Sequence, residues 1–384
     1  MDPEASTPEA SPAERLLSAV PDLDALLDQI RRRPEEVIPP PLKVRALTGT
    51  AHLFGDQRPE QMTAALERER EELLQFARDA VEKLRQGRGG EIVVPLTAEE
   101  QRGAQALLTF LTRPALLVRD GTFAEPPPQW EALERRRSFI QRTLGSVGRI
   151  EISGHPQGKP WSGTGWVVAD GLVITNRHVA RDFAEPVTPE AGETRWRLKP
   201  GRSARINFGE EWLGTGPPPE DAQRTHDVPA DALLRVYPPD AADLAVVPVQ
   251  RTSRTGAPLP APLVIDGRGE GIAEGRKVYA AGFPARDDRG RELASMYRLF
   301  EGIFDVKRLQ PGQVMEVLPE SSTLLHDCST LGGSSGSCVV DLHTNRVVAL
   351  HYGGFHRHAN LAVALWRLAG DPLLREAGVS FYGS

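Results

Sequence analysis

Two kinds of hydrophobic spacing divide the chain near residue 145. Before that point apolar residues recur at helical spacing; after it they form short runs broken by glycine and proline, as strands joined by tight turns do. Residues 1–12, rich in Pro, Ala, Ser and Glu, are too polar to bury and predict a disordered lead-in. Leu16, Leu17 and Val20, then Leu23, Leu26, Leu27 and Ile30, predict two short helices split at Pro21, and the prolines at 39–41 end helical structure. Over 59–85, Leu66, Leu73, Leu74, Phe76, Ala77, Val81 and Leu84 share one side of a long charged helix that Gly87, Gly89 and Gly90 stop. Thr97 and Glu100 form a capping box for the next helix, which carries Ala104, Leu107, Leu108 and Leu111. Residues 115–118 predict a short strand, 126–128 a hinge, and 129–144 one more helix.

Strands are expected at 147–152, 165–168, 172–175, 244–249, 277–282, 315–317, 337–341 and 347–352. The stretch 185–224, with prolines at 217–219, is long for a connection and predicts an inserted surface loop. Residues 252–262 look like a connector that splits the β region in two. The fold class is therefore α+β and multidomain: a helical N-terminal domain over 13–145, then an all-β domain over 146–384.

Composition narrows the function classes. The 384 residues are 40% apolar and 26% charged, with no apolar run long enough to span a bilayer, which predicts a soluble globular protein without a membrane partner. A net charge of -6 gives no basic excess for nucleic acid. The N-terminus has neither the basic residues nor the apolar stretch of a secretory signal, and Cys328 and Cys338 are the only cysteines, so a reducing, cytoplasmic setting is expected. Both thiols read as buried rather than bridged or nucleophilic. Arginine far outnumbers lysine, the usage of a GC-rich bacterial genome.

Three segments carry candidate chemistry, in the order His, Asp, Ser. ITNRHV ends a strand at His178, ADLAVV starts one at Asp243, and GSSGS places Ser335 in a glycine-rich turn. A serine hydroxyl is a poor nucleophile unless a base takes its proton as it attacks, the role expected of His178. A carboxylate such as Asp243 would hold the far ring nitrogen and fix the tautomer; Asp240 and Asp227 are the rival carboxylates. Charge developing on the attacked carbonyl needs main-chain donors, for which the amides of Gly333 and Ser335 are the candidates. Ser334 and Ser337 read as structural. His351, His356 and His358 fit no zinc spacing with a fourth ligand, so neither a metal nor another cofactor is expected.

With TNRHV, DLAVV, GGSSGS, ALHYGG and NLAVAL in this order, residues 145–384 resemble the trypsin-like serine peptidases, within them the bacterial branch of glutamyl endopeptidases and high-temperature-requirement proteases. The resemblance implies a chymotrypsin-like double β-barrel, barrel one over 146–255 and barrel two over 260–384. It implies a protein or peptide substrate in the cleft between them. It also implies that Ser329, Thr330, His351, Tyr352, Gly353 and Gly354 bind the side chain preceding the scissile bond. None of these is a carboxylate, which disfavours a basic side chain there and leaves an acidic or a small apolar one. Ser334 replaces the aspartate that secreted digestive relatives carry before the nucleophile, so activation by pairing with a new N-terminus is not expected. The reading is a serine endopeptidase whose helical domain regulates or targets it, with a regulatory protein partner possible there. Its rivals are a catalytically silent peptide-binding module of the same fold and an adaptor-effector in bacterial signalling or defence.

Overall fold

The computed structural model describes residues 22–38, 59–88, 95–188, 192–212, 224–286, 299–355 and 359–383. The lead-in, the helix expected before Pro21, the prolines at 39–41 and 217–219, Gly89, Gly90, His356 and His358 lie outside the described residues. The chain forms two units, 1–114 with 288–303, and 115–287 with 304–384.

Helices α1 (Leu23–Arg32), α2 (Pro34–Val37), α3 (Pro59–Arg88) and α4 (Ala98–Thr112) build the first unit. Asp22 caps α1 by accepting from the Ala25 amide at 2.8 Å. The capping box opens α4: the Glu100 amide donates to Thr97 Oγ1 at 3.2 Å and the Thr97 amide to Glu100 Oε2 at 2.6 Å. Leu23, Leu26, Leu27 and Ile30 are buried in one cluster with Leu73, Leu74, Ala77 and Val81 of α3 and Leu107 of α4.

The second unit begins with β1 (Leu116–Arg119), β2 (Thr122–Phe123), α5 (Glu131–Arg135) and α6 (Arg137–Gly145). Residues 115–145 follow the helical region in their spacing, yet Leu116, Val118, Trp130, Leu133, Ile140 and Leu144 share a buried cluster with Trp166, Tyr279 and Val340. The helix expected over 129–144 is broken at Arg136, whose φ of -112° and ψ of 7° leave the helical region.

The first barrel comprises β3 (Val147–Ser153), β4 (Trp161–Ala169), β5 (Leu172–Thr175), the one-turn helix α7 (Arg177–Ala180), β6 (Ala184–Pro186), β7 (Arg195–Leu198), β8 (Ser203–Asn207), β9 (Thr225–Asp227), β10 (Leu234–Val236) and β11 (Ala245–Pro248). Their order is β6-β7-β10-β11-β5-β4-β3-β8-β9. The Gln250 amide donates to the Asp227 carbonyl at 2.9 Å, so β9 returns to the chain leaving β11 and the sheet curls shut. This corrects the expected loop at 185–224. Part of that stretch is β7 and β8, where buried Trp196, Ala204 and Ile206 alternate with solvent-facing arginines and serine.

The second barrel comprises β12 (Ile265–Asp266), β13 (Lys277–Gly282), β14 (Arg308–Val317), β15 (Thr323–His326), β16 (Cys338–Asp341), β17 (Val347–Phe355), β18 (Ala359–Ala364) and β19 (Phe381–Tyr382). It closes as β13-β16-β17-β18-β15-β14, with β14 pairing back to β13. β1 joins the outer edge of β14, with Leu116 opposite Leu309. The final helix expected near 365–376 is a 3-10 turn, Leu365–Leu368, and a separate α8 (Pro372–Glu376) capped by Asp371.

Candidate active site

His178 sits on α7, directly after the buried strand β5. Two neighbours tie this turn to the chain entering β11: Asn176 Nδ2 donates to the Asp243 carbonyl at 2.9 Å, and Arg177 donates to the Pro238 carbonyl at 2.7 Å. The pairing of β5 with β11, Thr175 opposite Ala245, sets this proximity. Asp243 then spends both carboxylate oxygens on one residue. Oδ2 lies 2.5 Å from His178 Nδ1, and Oδ1 accepts the His178 amide at 3.1 Å. Burial pushes the Asp243 carboxyl upward, but the His178 hydrogen bonds and charge, with Arg177, outweigh it and hold it below the ordinary aspartate range. An ionised carboxylate can only accept, so Nδ1 is the donor of this hydrogen bond, and Nε2 lies on the other edge of the ring. Of the rival carboxylates, Asp227 pairs with Arg254 at 2.9 Å and Asp240 is exposed.

Ser335 lies in the turn before β16, which the first barrel holds from outside. Its carbonyl accepts the Thr164 amide at 2.8 Å, and Thr164 Oγ1 donates to the Gly333 carbonyl at 3.0 Å. From the second barrel, the His351 carbonyl accepts the Gly336 amide at 2.8 Å. Gly336 has φ +91°, and a Cβ there would lie 1.9 Å from the Thr164 carbonyl oxygen. Gly333 has φ +83°, and a Cβ there would lie 2.3 Å from the Trp161 ring. The amides of Ser334, Gly336 and Ser337 have backbone acceptors, whereas among the described residues those of Gly333 and Ser335 have none.

Gly163 brings the two halves together. A Cβ on it would meet a Val179 methyl at 2.7 Å and the Ser335 carbonyl at 2.9 Å, so one small residue separates the neighbour of His178 from the serine turn. Among the described residues Ser335 Oγ makes no hydrogen bond to the His178 ring.

Of the expected specificity residues, His351, Tyr352, Gly353 and Gly354 lie on β17, and Ser329 and Thr330 lie between β15 and β16. Ser329 and Thr330 are half-buried, as are Tyr352 and Gly353, while Gly354 is exposed. Gln310 Nε2 donates to the Ser329 carbonyl, and Thr330 Oγ1 donates to Asn360 Oδ1 at 2.6 Å. His351 is 2% exposed, and its Nδ1 lies 3.2 Å from Nε2 of the fully buried His326. Burial and the neighbouring His178 push the His351 pKa down to about 3, and burial with His351 lowers that of His326. Both rings are neutral. Neither His326 nor Asn360, the first residue of NLAVAL, is named above as a site residue; the signal for them is their pairing in register across β15 and β18. Cys328 and Cys338 are free and buried, and burial raises the Cys338 thiol to about 12.

A comparison with curated proteins finds no matching relative. Residues 163–350 match the family model of the trypsin-like peptidase domain. The matched span covers just under half of the chain and contains His178, Asp243 and Ser335. Among solved structures the chain is similar to the HtrA-type protease AlgW with a decapeptide, at 14% identity over 62% of this chain and 66% of that one, TM-score 0.38. It thus spans just under two thirds of that protein's length. It is also similar to a mutant, inactive form of Rv3671c from M. tuberculosis, at 17% identity over 66% of this chain and 95% of that one, TM-score 0.38. A further inactive form of the Rv3671c protease matches at 18% identity over 66% of this chain and 98% of that one, TM-score 0.38. The architecture is a helical N-terminal region followed by a chymotrypsin-like barrel domain. Among the described residues no helix is long and apolar enough to cross a membrane.

Proposed function

We propose that the protein is a serine endopeptidase acting through His178, Asp243 and Ser335. The observation that carries this reading is the two-point hold of Asp243 on His178, at 2.5 and 3.1 Å, beside a serine turn whose amides at 333 and 335 have no acceptor among the described residues. Asp243 fixes the imidazole as a base through Nε2, Ser335 Oγ attacks the peptide carbonyl, and the amides of Gly333 and Ser335 receive the oxyanion. His178 then returns the proton to the leaving amine, and water completes the cycle by the same route. The lack of a hydrogen bond between Ser335 Oγ and the His178 ring suits a resting enzyme in which bound substrate brings the two together. A fluorophosphonate probe should label Ser335 stoichiometrically in the parent and fail in His178→Ala. A folded parent that resists the probe overturns the reading in favour of a silent peptide-binding module.

We assign the residue before the scissile bond as acidic. If His326 Nε2–H donates to His351 Nδ1, the sealed His326 Nδ1 is left as an orphan acceptor; the reverse tautomer leaves an orphan N–H, the costlier defect. The favoured arrangement leaves the His351 Nε2–H unspent, a donor for a carboxylate. Cleavage profiling on a peptide library should show cutting after Glu or Asp, and cutting after Arg or Lys overturns it. The helical unit is assigned a regulatory or targeting role, open to a protein partner. Turnover by the whole chain and by residues 115–384 should then differ; equal rates remove that role.

A further inference from the structure

A second feature of the first barrel has no part in the chemistry above. Residues 155–157 together with Arg181, Asp182, Lys199 and Arg202 line a cleft of about 250 Å³. That is smaller than the roughly 300–1,000 Å³ of sites for whole drug-sized ligands and suits a single side chain. Three of its walls are cationic. Its one acid, Asp182, is already engaged, since Oδ2 accepts Lys159 Nζ at 2.7 Å and Ser162 Oγ at 2.6 Å. The nearby Glu185 pairs with Arg197 at 3.5 Å. Lys199 Nζ donates to the Arg181 carbonyl, while among the described residues the guanidinium groups of Arg181 and Arg202 have neither an ion pair nor a hydrogen bond. Burial and the like charge of Arg202 lower the Lys199 pKa against the opposing pull of Asp182 and Glu185.

The cleft adjoins the candidate catalytic groups. Arg181 and Asp182 directly follow α7, which carries His178. Ser162 Oγ donates to Asp182 and lies 3.1 Å from the Val179 carbonyl, and its neighbour Gly163 abuts the Ser335 carbonyl. Contacts therefore run without a gap from Ser335 through Gly163 and Ser162 to the cleft wall. The residues assigned to the side chain before the scissile bond lie on the other side of Ser335, where Gly336 meets His351. A peptide laid across Ser335 with one end in the second barrel has its other end on the first-barrel side, where the cleft lies.

We propose that this cationic cleft is a subsite for an acidic side chain on the part of the substrate that follows the scissile bond. The proposal rests on the serine-peptidase reading. Its test uses full-length Ser335→Ala and fluorescent peptides, built on a sequence the parent cleaves, that differ only by Glu or Gln at the second or third position after the bond. Two to three exposed charge pairs predict about tenfold tighter binding of the Glu peptide at low salt. The preference should fall toward parity at about 0.5 M NaCl. Adding Arg181→Gln and Arg202→Gln should bring the two peptides to parity at every salt concentration, whereas Arg181→Lys with Arg202→Lys should keep the preference. Equal binding of both peptides to Ser335→Ala at low salt, with the parent still labelled by fluorophosphonate, overturns the cleft proposal alone. A parent that is neither labelled nor able to cut any peptide overturns the peptidase reading, and this proposal with it.

Discussion

Asp243 acts on His178 with both oxygens, which separates its charge from its shape. Asp243→Asn preserves the shape but offers an amide N–H where an acceptor is needed, so the ring takes the wrong tautomer. Turnover is expected to fall about 10⁴-fold with melting temperature nearly unchanged. Steady-state kinetics beside thermal unfolding separate the two. Gly336 probes a different element of the site. At φ +91°, with the Thr164 oxygen 1.9 Å from where a Cβ would stand, Gly336→Ala must push the serine turn off the first barrel. Fluorophosphonate labelling should be lost in the folded variant; undiminished labelling would show that the turn tolerates displacement. These residues were legible in the sequence because each sits in a local motif: a histidine after an apolar run, an acid before one, a serine among glycines. Asn360 and His326 were not. Their partners Thr330 and His351 lie 30 and 25 positions away along the chain, and only strand register brings them together.

Register is a property of elements, and the strands β15, β18 and β17 show what it produces. His326 pairs with Asn360 on β18, and His351 on β17 pairs with Ala362, so two imidazoles meet inside a barrel wall where neither can be charged cheaply. A histidine whose folded pKa lies below its unfolded value takes up its proton on unfolding. Between the unfolded value near 6.5 and the folded value of about 3 for His351, the unfolded chain binds more protons, and stability falls as pH falls through that window. His351 alone should remove about 2 kcal/mol between pH 7 and pH 5. Urea titrations at the two pH values should show this loss in the parent and a loss smaller by that amount in His351→Gln. The strands over 172–175 and 277–282 were readable because each is a continuous buried run between turn residues. β7 and β8 escaped because their alternation is short, carries arginines on the open face, and is set among prolines and glycines that signal a loop.

At the scale of the whole molecule, the segment 115–145 decides what can fold alone. Its helices share the spacing of the region before it, yet its apolar groups belong to the barrels. Tyr279 donates its hydroxyl proton to Thr143 at 3.1 Å, and the fully buried Lys307 donates to the carbonyls of Leu144 and Phe208 at 2.8 Å. Burial lowers the Lys307 pKa to about 8 against the pull of Glu211, so this cation is retained at a cost that its hydrogen bonds must offset. Lys307→Met takes the buried donor from both carbonyls and leaves the buried Glu211 only Arg224 and the Gly121 amide. A loss of about 3–5 kcal/mol is expected in chemical denaturation at pH 7, and a variant as stable as the parent would show that the ammonium holds nothing. Removing the whole segment does more. Leu116, Val118, Phe123, Trp130, Leu133, Ile140 and Leu144 are seven buried side chains of the main core. At about 1.5–3 kcal/mol each, their loss amounts to roughly 10–20 kcal/mol. A domain has about 5–15 kcal/mol of net stability in total. Residues 146–384 alone should therefore lack a cooperative thermal transition, while residues 115–384 should melt as one unit; a cooperative melt of the shorter piece would show that the barrels hold together without that segment.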